Sequence, residues 1–143
     1  MPTEGSFRIL PRVTDANRHF WQGGERGQLV FLRCGRCGVY VHPPAPLCPV
    51  DHGKDLHPAV VSGRATIASF TVNHQAWLPG VALPYVIALV EIEEQAGLRL
   101  QTNIVECEID AVHIGMPVEV VFEHREDPDA DVWIPLFRPR GEA

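Results

Sequence analysis

The sequence predicts a mainly β protein that consists of a short N-terminal helix, a small metal-binding ribbon and a five-stranded β-barrel. Two observations lead to this prediction. Three of the four cysteines lie close together, between positions 34 and 48. From position 64 onward, short runs of β-branched and apolar residues alternate with turns. The 143 residues suffice for one ordinary domain or for two small modules that share a core.

The N-terminal segment, residues 1–27, predicts an extended arm followed by a short helix. Thr14 is a suitable N-cap for a helix over residues 15–22, and Asp15 would lie favourably in its first turn. Gly23 and Gly24 then predict the end of the helix. The large apolar residues Phe20 and Trp21 lie near that end, and we expect them to form part of a surface for a partner or a ligand.

Residues 28–60 are predicted to form the metal-binding ribbon. A strand over residues 28–33 leads into a C-x-x-C turn, in which Cys34 and Cys37 direct two thiolates at one point, and Cys48 begins a second such turn. A zinc ribbon would place its fourth ligand at Asp51, with His52 as the alternative, and zinc accepts either side chain beside thiolates. The competing interpretation is a ribbon without metal, held by its prolines and by packing.

Five strands are predicted within residues 61–143, after a hinge at residues 60–63. They are RATIASFTVNH (64–74), YVIALVEIE (85–93), LRLQTNIV (98–105), PVEVVFEH (117–124) and VWIPLF (132–137). Short strands with tight turns and little helix are typical of a small closed barrel, and five strands fit an OB-type barrel. The number of strands alone does not distinguish this barrel from other small ones.

Charge and hydropathy exclude several classes of protein. The net charge is −6, and a single lysine accompanies scattered arginines, whereas nonspecific nucleic-acid binding relies on a dense cationic surface. The apolar runs are far shorter than the roughly 18 residues that a membrane span requires. The opening MPTEGSFRILPR lacks the apolar core of a secretory signal. We therefore expect a cytoplasmic protein that does not enter a membrane, and the acidic charge disfavours nucleic acid as a partner.

Six segments, in this order and spacing, resemble the zinc-ribbon/OB-fold family of acyl-CoA-associated proteins: FWQGGERGQLVFLRCGRCG, VHPPAPLCP, SGRATIASFTVNH, PYVIALVEIE, TNIVECEIDAVHIGMPVEVVFE and PLFRP. The resemblance runs from about residue 20 to residue 139, and it departs at Asp51, where the family usually carries a fourth cysteine. It implies a rubredoxin-like zinc ribbon and a C-terminal OB-fold barrel. It also implies a small non-catalytic partner of thiolases and acyl-CoA hydratases, with the active site on the larger subunit.

Cys107 is the candidate nucleophile outside the cysteine cluster. It lies between Glu106 and Glu108, and adjacent carboxylates raise the pKa of a thiol, whereas a nucleophile needs an activating base. We interpret Cys107 as a structural cysteine. The sequence therefore predicts a protein without an active site of its own.

The segment QAWLPGVALP (75–84) joins the first two predicted barrel strands and is unusually apolar for a loop. Such a loop indicates an interface or a ligand wall, although it would also serve as a lid on the barrel's own core. Its candidate contact residues are Trp77, Leu78, Val81 and Leu83. We expect an accessory subunit that binds a thiolase or another acyl-CoA enzyme and carries zinc. The alternatives are an OB-fold protein that binds single-stranded nucleic acid and an acyl-CoA-binding protein that acts alone.

Overall fold

The structure, a computed structural model, describes residues 8–141. Its helical elements are one α-helix, α1 (Arg18–Gln22), and two 3₁₀ helices, Gly23–Arg26 and Ile109–Ala111. None of the helices in this described part has the length and apolarity needed to cross a bilayer. The strands are β1 (Leu29–Cys34), β2 (Tyr40–Val41), β3 (Leu56–Val61), β4 (Arg64–Asn73), β5 (Tyr85–Ile92), β6 (Arg99–Ile104), β7 (Pro117–Arg125) and β8 (Val132–Pro139).

The N-terminal helix differs from the prediction at both of its ends. Helix α1 begins at Arg18, because residues 14–17 form a separate turn in which the Thr14 carbonyl accepts the N–H groups of Asn17 and Arg18 at 3.2 and 2.9 Å. Gly23 does not end the helical path, which continues as a 3₁₀ helix to Gly27, where φ is +68°. The sequence does not reveal that Gly24 is needed for close packing of the 3₁₀ helix against the barrel.

Close approach explains the glycine at position 24. A Cβ atom added to Gly24 would come within 2.6 Å of the Phe122 ring and would overlap the Cβ atom of Trp133. Phe122 and Trp133 belong to β7 and β8. The 3₁₀ helix therefore contacts the barrel through a position where only glycine fits.

The ribbon is a three-stranded antiparallel sheet with the order β2-β1-β3. Strand β3 pairs with β1 along its whole length, from Leu29 opposite Val61 to Cys34 opposite Leu56. Strand β3 is not predicted from the sequence, which indicates a hinge at residues 60–63 instead, because Pro58 lies within the strand. A proline is tolerated in an edge strand, and β3 lies at the edge of its sheet. The link between the two sheets is only Ser62 and Gly63.

The second sheet confirms the predicted five-stranded OB barrel. It is closed in the order β4-β5-β6-β8-β7, with β4 also paired to β7. All neighbours are antiparallel except β6 and β8, which run parallel and share one register pair, Ile104 opposite Phe137. We call the junction of β6 and β8 the seam. Two residues before this pair on each strand, the Thr102 hydroxyl donates a 2.9 Å hydrogen bond to the carbonyl of Pro135.

The barrel interior continues into the ribbon. Strand β5 alternates strictly, with Val86, Ala88, Val90 and Ile92 buried. These residues belong to one apolar core that also contains Phe20, Leu29 and Phe31 from the N-terminal part of the chain. Because ribbon and barrel share this core, surfaces contributed by both are held in a fixed relation.

Candidate functional site

The first metal-binding turn connects β1 to β2. The N–H of Gly38 donates to the carbonyl of Cys34, and the N–H of Cys34 donates to the carbonyl of Val39, both at 2.9 Å. Gly38 has a left-handed backbone, with φ at +81°. These contacts close a tight loop that brings the Cys37 thiol next to that of Cys34.

The second turn repeats this hydrogen-bond pattern. The N–H of His52 donates to the carbonyl of Cys48, and the N–H of Cys48 donates to the carbonyl of Gly53, both at 2.9 Å. His52 therefore corresponds to Gly38 of the first turn, and Asp51 corresponds to Cys37. The side chain of His52 is exposed, and the side chain of Asp51 faces the cysteines.

Four side chains converge between the two turns: Cys34, Cys37, Cys48 and Asp51. One donor atom from each lies within 4.8 Å of the other three. Tetrahedral zinc with Zn–S bonds of about 2.3 Å and a Zn–O bond of about 2.0 Å would place two sulfurs about 3.8 Å apart and a sulfur and an oxygen about 3.5 Å apart. The Cys37 and Cys48 sulfurs are 3.6 Å apart, and the Cys34 sulfur lies 3.4 Å from Asp51 Oδ2. The donor set therefore fits zinc.

Backbone amides orient these donors. The Cys48 sulfur accepts the N–H groups of Val50 and Asp51 at 3.4 and 3.5 Å, and the Cys34 sulfur accepts the N–H of Cys37 at 3.5 Å. The N–H of Gly53 donates to Asp51 Oδ1 at 2.7 Å. This contact directs the other carboxylate oxygen toward Cys34, as the outer partners of metal ligands commonly do.

The same contacts shift the acidity of the donors in different directions. The Gly53 N–H lowers the pKa of Asp51. Burial opposes ionisation of Cys48, but the N–H groups of Asp51 and Val50, together with the thiols of Cys37 and Cys34, lower the pKa of that thiol. For Cys37 the Val39 backbone favours the thiolate, yet burial and the neighbouring thiols raise its pKa to about 11. Without a cation, the cluster thus resists carrying a charge on every ligand.

A cleft of about 1090 Å³ runs between the N-terminal part of the chain and the barrel. Four of the six predicted contact residues, Phe20, Trp21, Leu78 and Val81, line this cleft. Trp77 and Leu83 do not line it. The helix and the loop of residues 75–84 lie far apart along the chain. The structure brings them together at one concave surface.

Trp77 lies in the loop of residues 75–84 and is largely exposed to solvent. Its side chain is 74% exposed. The indole N–H donates a 3.0 Å hydrogen bond to Asn73 Oδ1, and the Asn73 amide donates in turn to the carbonyl of Gln75 at 2.8 Å. The polar atom of the indole is therefore satisfied within the loop, while its apolar faces remain open to solvent.

A charged cluster that the sequence does not predict lies at the polar end of the cleft. It consists of Arg8, Asn103, Glu123 and Arg125, of which Glu123 is only 6% exposed. Glu123 lies within an alternating strand, and Arg8 lies in a proline-containing arm. Neither pattern signals that the two residues meet 115 positions apart.

Cys107 also lines the cleft. Its thiol donates to the carbonyl of Glu108 at 3.3 Å, and burial, followed by the charge of Glu108, raises its pKa. A thiol in this state is a poor nucleophile. The geometry thus supports a structural role for Cys107.

Known families match both modules. The ChsH2 rubredoxin-like zinc ribbon domain matches residues 21–57, and the ChsH2 C-terminal OB-fold domain matches residues 59–123. A DUF35 domain-containing scaffold protein of Methanocaldococcus jannaschii is 37% identical over 111 residues, which cover 76% of this chain and 77% of that protein. The chain belongs to the DUF35 family.

Solved DUF35 structures share this fold. The chain of the Ltp2-ChsH2(DUF35) aldolase matches with a TM-score of 0.78 and 34% identity, over 91% of this chain and 98% of that one. A DUF35 protein of unknown function from Sulfolobus solfataricus matches with a TM-score of 0.58 and 19% identity, over 75% of this chain and 78% of that one. The second match concerns the fold alone.

Longer curated relatives contain a DUF35-like part. A probable enoyl-CoA hydratase alpha subunit of Thermomonospora curvata is 35% identical over 94% of this chain. The 3-oxo-4,17-pregnadiene-20-carboxyl-CoA hydratase alpha subunit of Mycobacterium tuberculosis is 36% identical over 89% of this chain. The chain spans 40% of the length of each of these relatives. As a DUF35 zinc ribbon with a Cys3Asp cluster, the chain has the donor set of a zinc protein.

Proposed function

We propose that this DUF35 chain is a non-catalytic scaffold subunit of an acyl-CoA-processing enzyme of the aldolase or hydratase type. The single observation that carries the proposal is Trp77, a large aromatic side chain that is 74% exposed and held in place by Asn73. A thiolase, the partner expected from the sequence, stays a prediction alongside these two classes.

Trp77 has the properties of an interface hot spot. Exposed tryptophans that insert into apolar pockets dominate many binding energies. Because the indole N–H is already hydrogen-bonded to Asn73, its burial by a partner would leave no donor unsatisfied. Leu78 and Leu83, which are 39% and 40% exposed, extend the apolar surface around it. Ordering this surface on binding costs little because the loop contacts already constrain it.

The names of the relatives support the class of partner. The solved structure that matches over 98% of its chain is described as an aldolase with two components, Ltp2 and ChsH2(DUF35). Two longer relatives are named as hydratase alpha subunits, one acting on an enoyl-CoA and one on a steroid carboxyl-CoA. The DUF35 domain-containing relatives of Methanocaldococcus jannaschii and Methanothermobacter thermautotrophicus are both named as scaffold proteins. The scaffold names support a non-catalytic role, and the hydratase names support a partner that acts on acyl-CoA.

We propose that Cys34, Cys37, Cys48 and Asp51 hold the zinc and that the metal is structural. Four protein donors complete a tetrahedral site and leave no position for water or substrate. When bound, the ion supplies folding free energy to the ribbon, in addition to the pairing of β1 with β3 and the 2.8 Å hydrogen bond from the Gly35 N–H to the Asp55 carbonyl. His52, which has an exposed side chain, is not needed as a ligand.

The barrel surface argues against the nucleic-acid alternative. OB folds bind oligonucleotides on their second and third strands, here β5 and β6, and such binding needs free cations and stacking platforms. Among the described residues that line the cleft on this face, Arg8 pairs with Glu123 at 2.6 Å and Arg99 pairs with Glu91 at 3.1 Å. The guanidinium charges on this face are thus already neutralised.

Co-purification tests the proposal. The tagged chain would be co-expressed with an aldolase, a hydratase subunit and a thiolase from the same genome, each in turn. We expect capture of the aldolase or the hydratase, weakened at least about tenfold by Trp77→Ala as for a typical hot spot. Ile114→Ala is the matched control, because Ile114 is also exposed, at 67%, but lies outside the loop and the cleft.

Two outcomes would contradict the proposal. One is that none of the three enzymes is captured, and the other is that Trp77→Ala and Ile114→Ala retain equal affinity. Capture of the thiolase alone would correct the partner class. Far-UV circular dichroism of both variants confirms that the fold is intact.

A further inference from the structure

The ligand-binding face of this barrel is partly occupied by the chain itself. In OB folds this face comprises the second and third strands and the loop between the first and second strands. Here those elements are β5, β6 and the loop of residues 75–84, and all three line the cleft. Arg8, Ile9 and Pro11 of the N-terminal arm line the same cleft.

Arg8 fixes the arm to the barrel through a buried carboxylate. Its Nε lies 2.6 Å from Glu123 Oε2 and its Nη2 lies 3.5 Å from Glu123 Oε1. Glu123 is 6% exposed and also accepts a 2.8 Å hydrogen bond from Nε of Arg125. A paired guanidinium and carboxylate in such surroundings are among the stronger polar contacts in proteins.

The same guanidinium crosses the seam of the barrel. Its Nη1 donates to Asn103 Oδ1 at 3.3 Å, and the Asn103 amide donates to the carbonyl of Val86 at 2.8 Å. Asn103 belongs to β6 and Glu123 to β7, and β8 lies between these two strands. Arg8 therefore bridges the seam, where β6 and β8 share only one register pair.

Among the described residues of the arm, Arg8 makes the side-chain hydrogen bonds to the barrel, and Leu10, Pro11 and Val13 are half-buried. Ile9, the next residue, is 75% exposed, so it contributes little apolar burial. Removal of Arg8 would leave Glu123 paired with Arg125, so the buried carboxylate would keep a cation. These two facts make the arm detachable without unfolding of the barrel.

We propose that residues 8–13 form a strap that closes the polar end of the cleft in the free protein, with Arg8 on Glu123 as its latch. Release of the strap uncovers the seam and enlarges the cleft on the face that OB folds use for ligands. The strap is thus a closing device built into the fold. This inference goes beyond the proposed function, and its test uses the chain alone, so its failure would leave the partner assignment untouched.

Hydrogen exchange of the isolated full chain tests the strap. In Arg8→Gln we expect about tenfold faster amide exchange in β6 and in residues 132–136, with β1 and β4 unchanged. Arg12→Gln is the control, because Arg12 lies in the same segment and its carbonyl, which the substitution keeps, accepts a 3.1 Å hydrogen bond from the Asn17 side-chain amide. The dye 1-anilinonaphthalene-8-sulfonate should bind Arg8→Gln several-fold more strongly than Arg12→Gln.

Three results would overturn the inference. Exchange in β6 and β8 that is equal in the two variants would show that Arg8 does not close the seam. Exchange that rises across the whole chain would show that Arg8 is part of the core and not a latch. A truncation lacking residues 1–12 is the second variant, and the third overturning result is a truncation that does not reproduce the local pattern of Arg8→Gln.

Discussion

Gly38 and His52 occupy equivalent positions in the two metal-binding turns, and both have a left-handed backbone, with φ at +81° and +61°. Each donates its N–H to the carbonyl of the cysteine four residues before it. Glycine adopts this conformation without steric cost, whereas a residue with a Cβ atom is strained there by about 1 kcal/mol. The second turn therefore stores strain that the first one does not.

Replacement of His52 by glycine should relieve this strain. We expect His52→Gly to raise the free energy of unfolding of the zinc-saturated protein by roughly 0.5–1 kcal/mol, measured by urea denaturation. Zinc content, measured by atomic emission on the same sample, should stay unchanged. Loss of zinc from this variant would identify His52 as a ligand and contradict the assignment to Asp51.

Substitutions at Asp51 should change zinc affinity in opposite directions. Asp51→Ala removes one donor and should weaken binding at least about tenfold in competition with a chromogenic chelator, while Asp51→Cys should strengthen it because thiolate is a softer ligand for zinc. His52→Ala is the matched control and should bind as the wild type does. Equal affinities for Asp51→Ala and the wild type would place the fourth ligand elsewhere.

His42 should make the protein sensitive to acid. Its ring lies 4.7 and 4.8 Å from the rings of Phe20 and Phe31, and its Nδ1 is buried without a hydrogen-bond partner among the described residues. Burial, assisted by His19, lowers the pKa of His42 from 6.5 to about 4. Protonation is thus easier in the unfolded state than in the folded state.

The sign and the window follow from that shift. Above pH 6.5 His42 is neutral in both states and contributes its full stability, which is lost as the pH falls from 6.5 toward 4. Because the side chain is only half-buried, we expect a loss of no more than about 2 kcal/mol. The difference in unfolding free energy between wild type and His42→Phe, measured at several pH values, isolates this contribution. A constant difference between pH 7 and pH 4.5 would refute it.

Gly24→Ala should weaken the contact between the 3₁₀ helix and the barrel. The added methyl would overlap Trp133 and press on the Phe122 ring, and such overpacking costs about 1–3 kcal/mol. Gly141→Ala is the control, because nothing lies within 4 Å of its added Cβ. Thermal melting followed by circular dichroism compares the two. Identical melting temperatures would mean that the helix contact contributes nothing to stability.

Much of the fold could be predicted from local pattern. The alternation in β5 and β6 and the turns between the barrel strands place the five strands nearly where they lie, because one face of each strand is buried. Strand β3 could not be predicted because proline is unfavourable within most strands. The sequence does not show that β3 lies at the edge of its sheet, where Pro58 is tolerated. The division of the chain at residues 27/28 and 60/61 stays a prediction.

The site was predictable only where spacing determines geometry. Cys37 follows Cys34 by three residues, and the same spacing after Cys48 predicts Asp51 as the fourth ligand. In the structure the side chains at these four positions do converge. The meeting of Arg8 with Glu123 was not predictable, since it joins residues 115 positions apart and depends on the path of an irregular arm. The cleft likewise depends on tertiary packing and not on local sequence.

The loop of residues 75–84 contains no charged side chain, and this has a kinetic consequence. Without charges in the contact loop, local electrostatic attraction contributes little to the encounter with a partner, and the association rate should fall near the unassisted range of about 10⁵–10⁶ M⁻¹s⁻¹. That rate should change little with ionic strength. The affinity of a complex built on Trp77 is therefore determined mainly by its dissociation rate, that is, by how slowly the indole leaves its pocket. This affinity should persist at salt concentrations that dissociate complexes held by charge attraction.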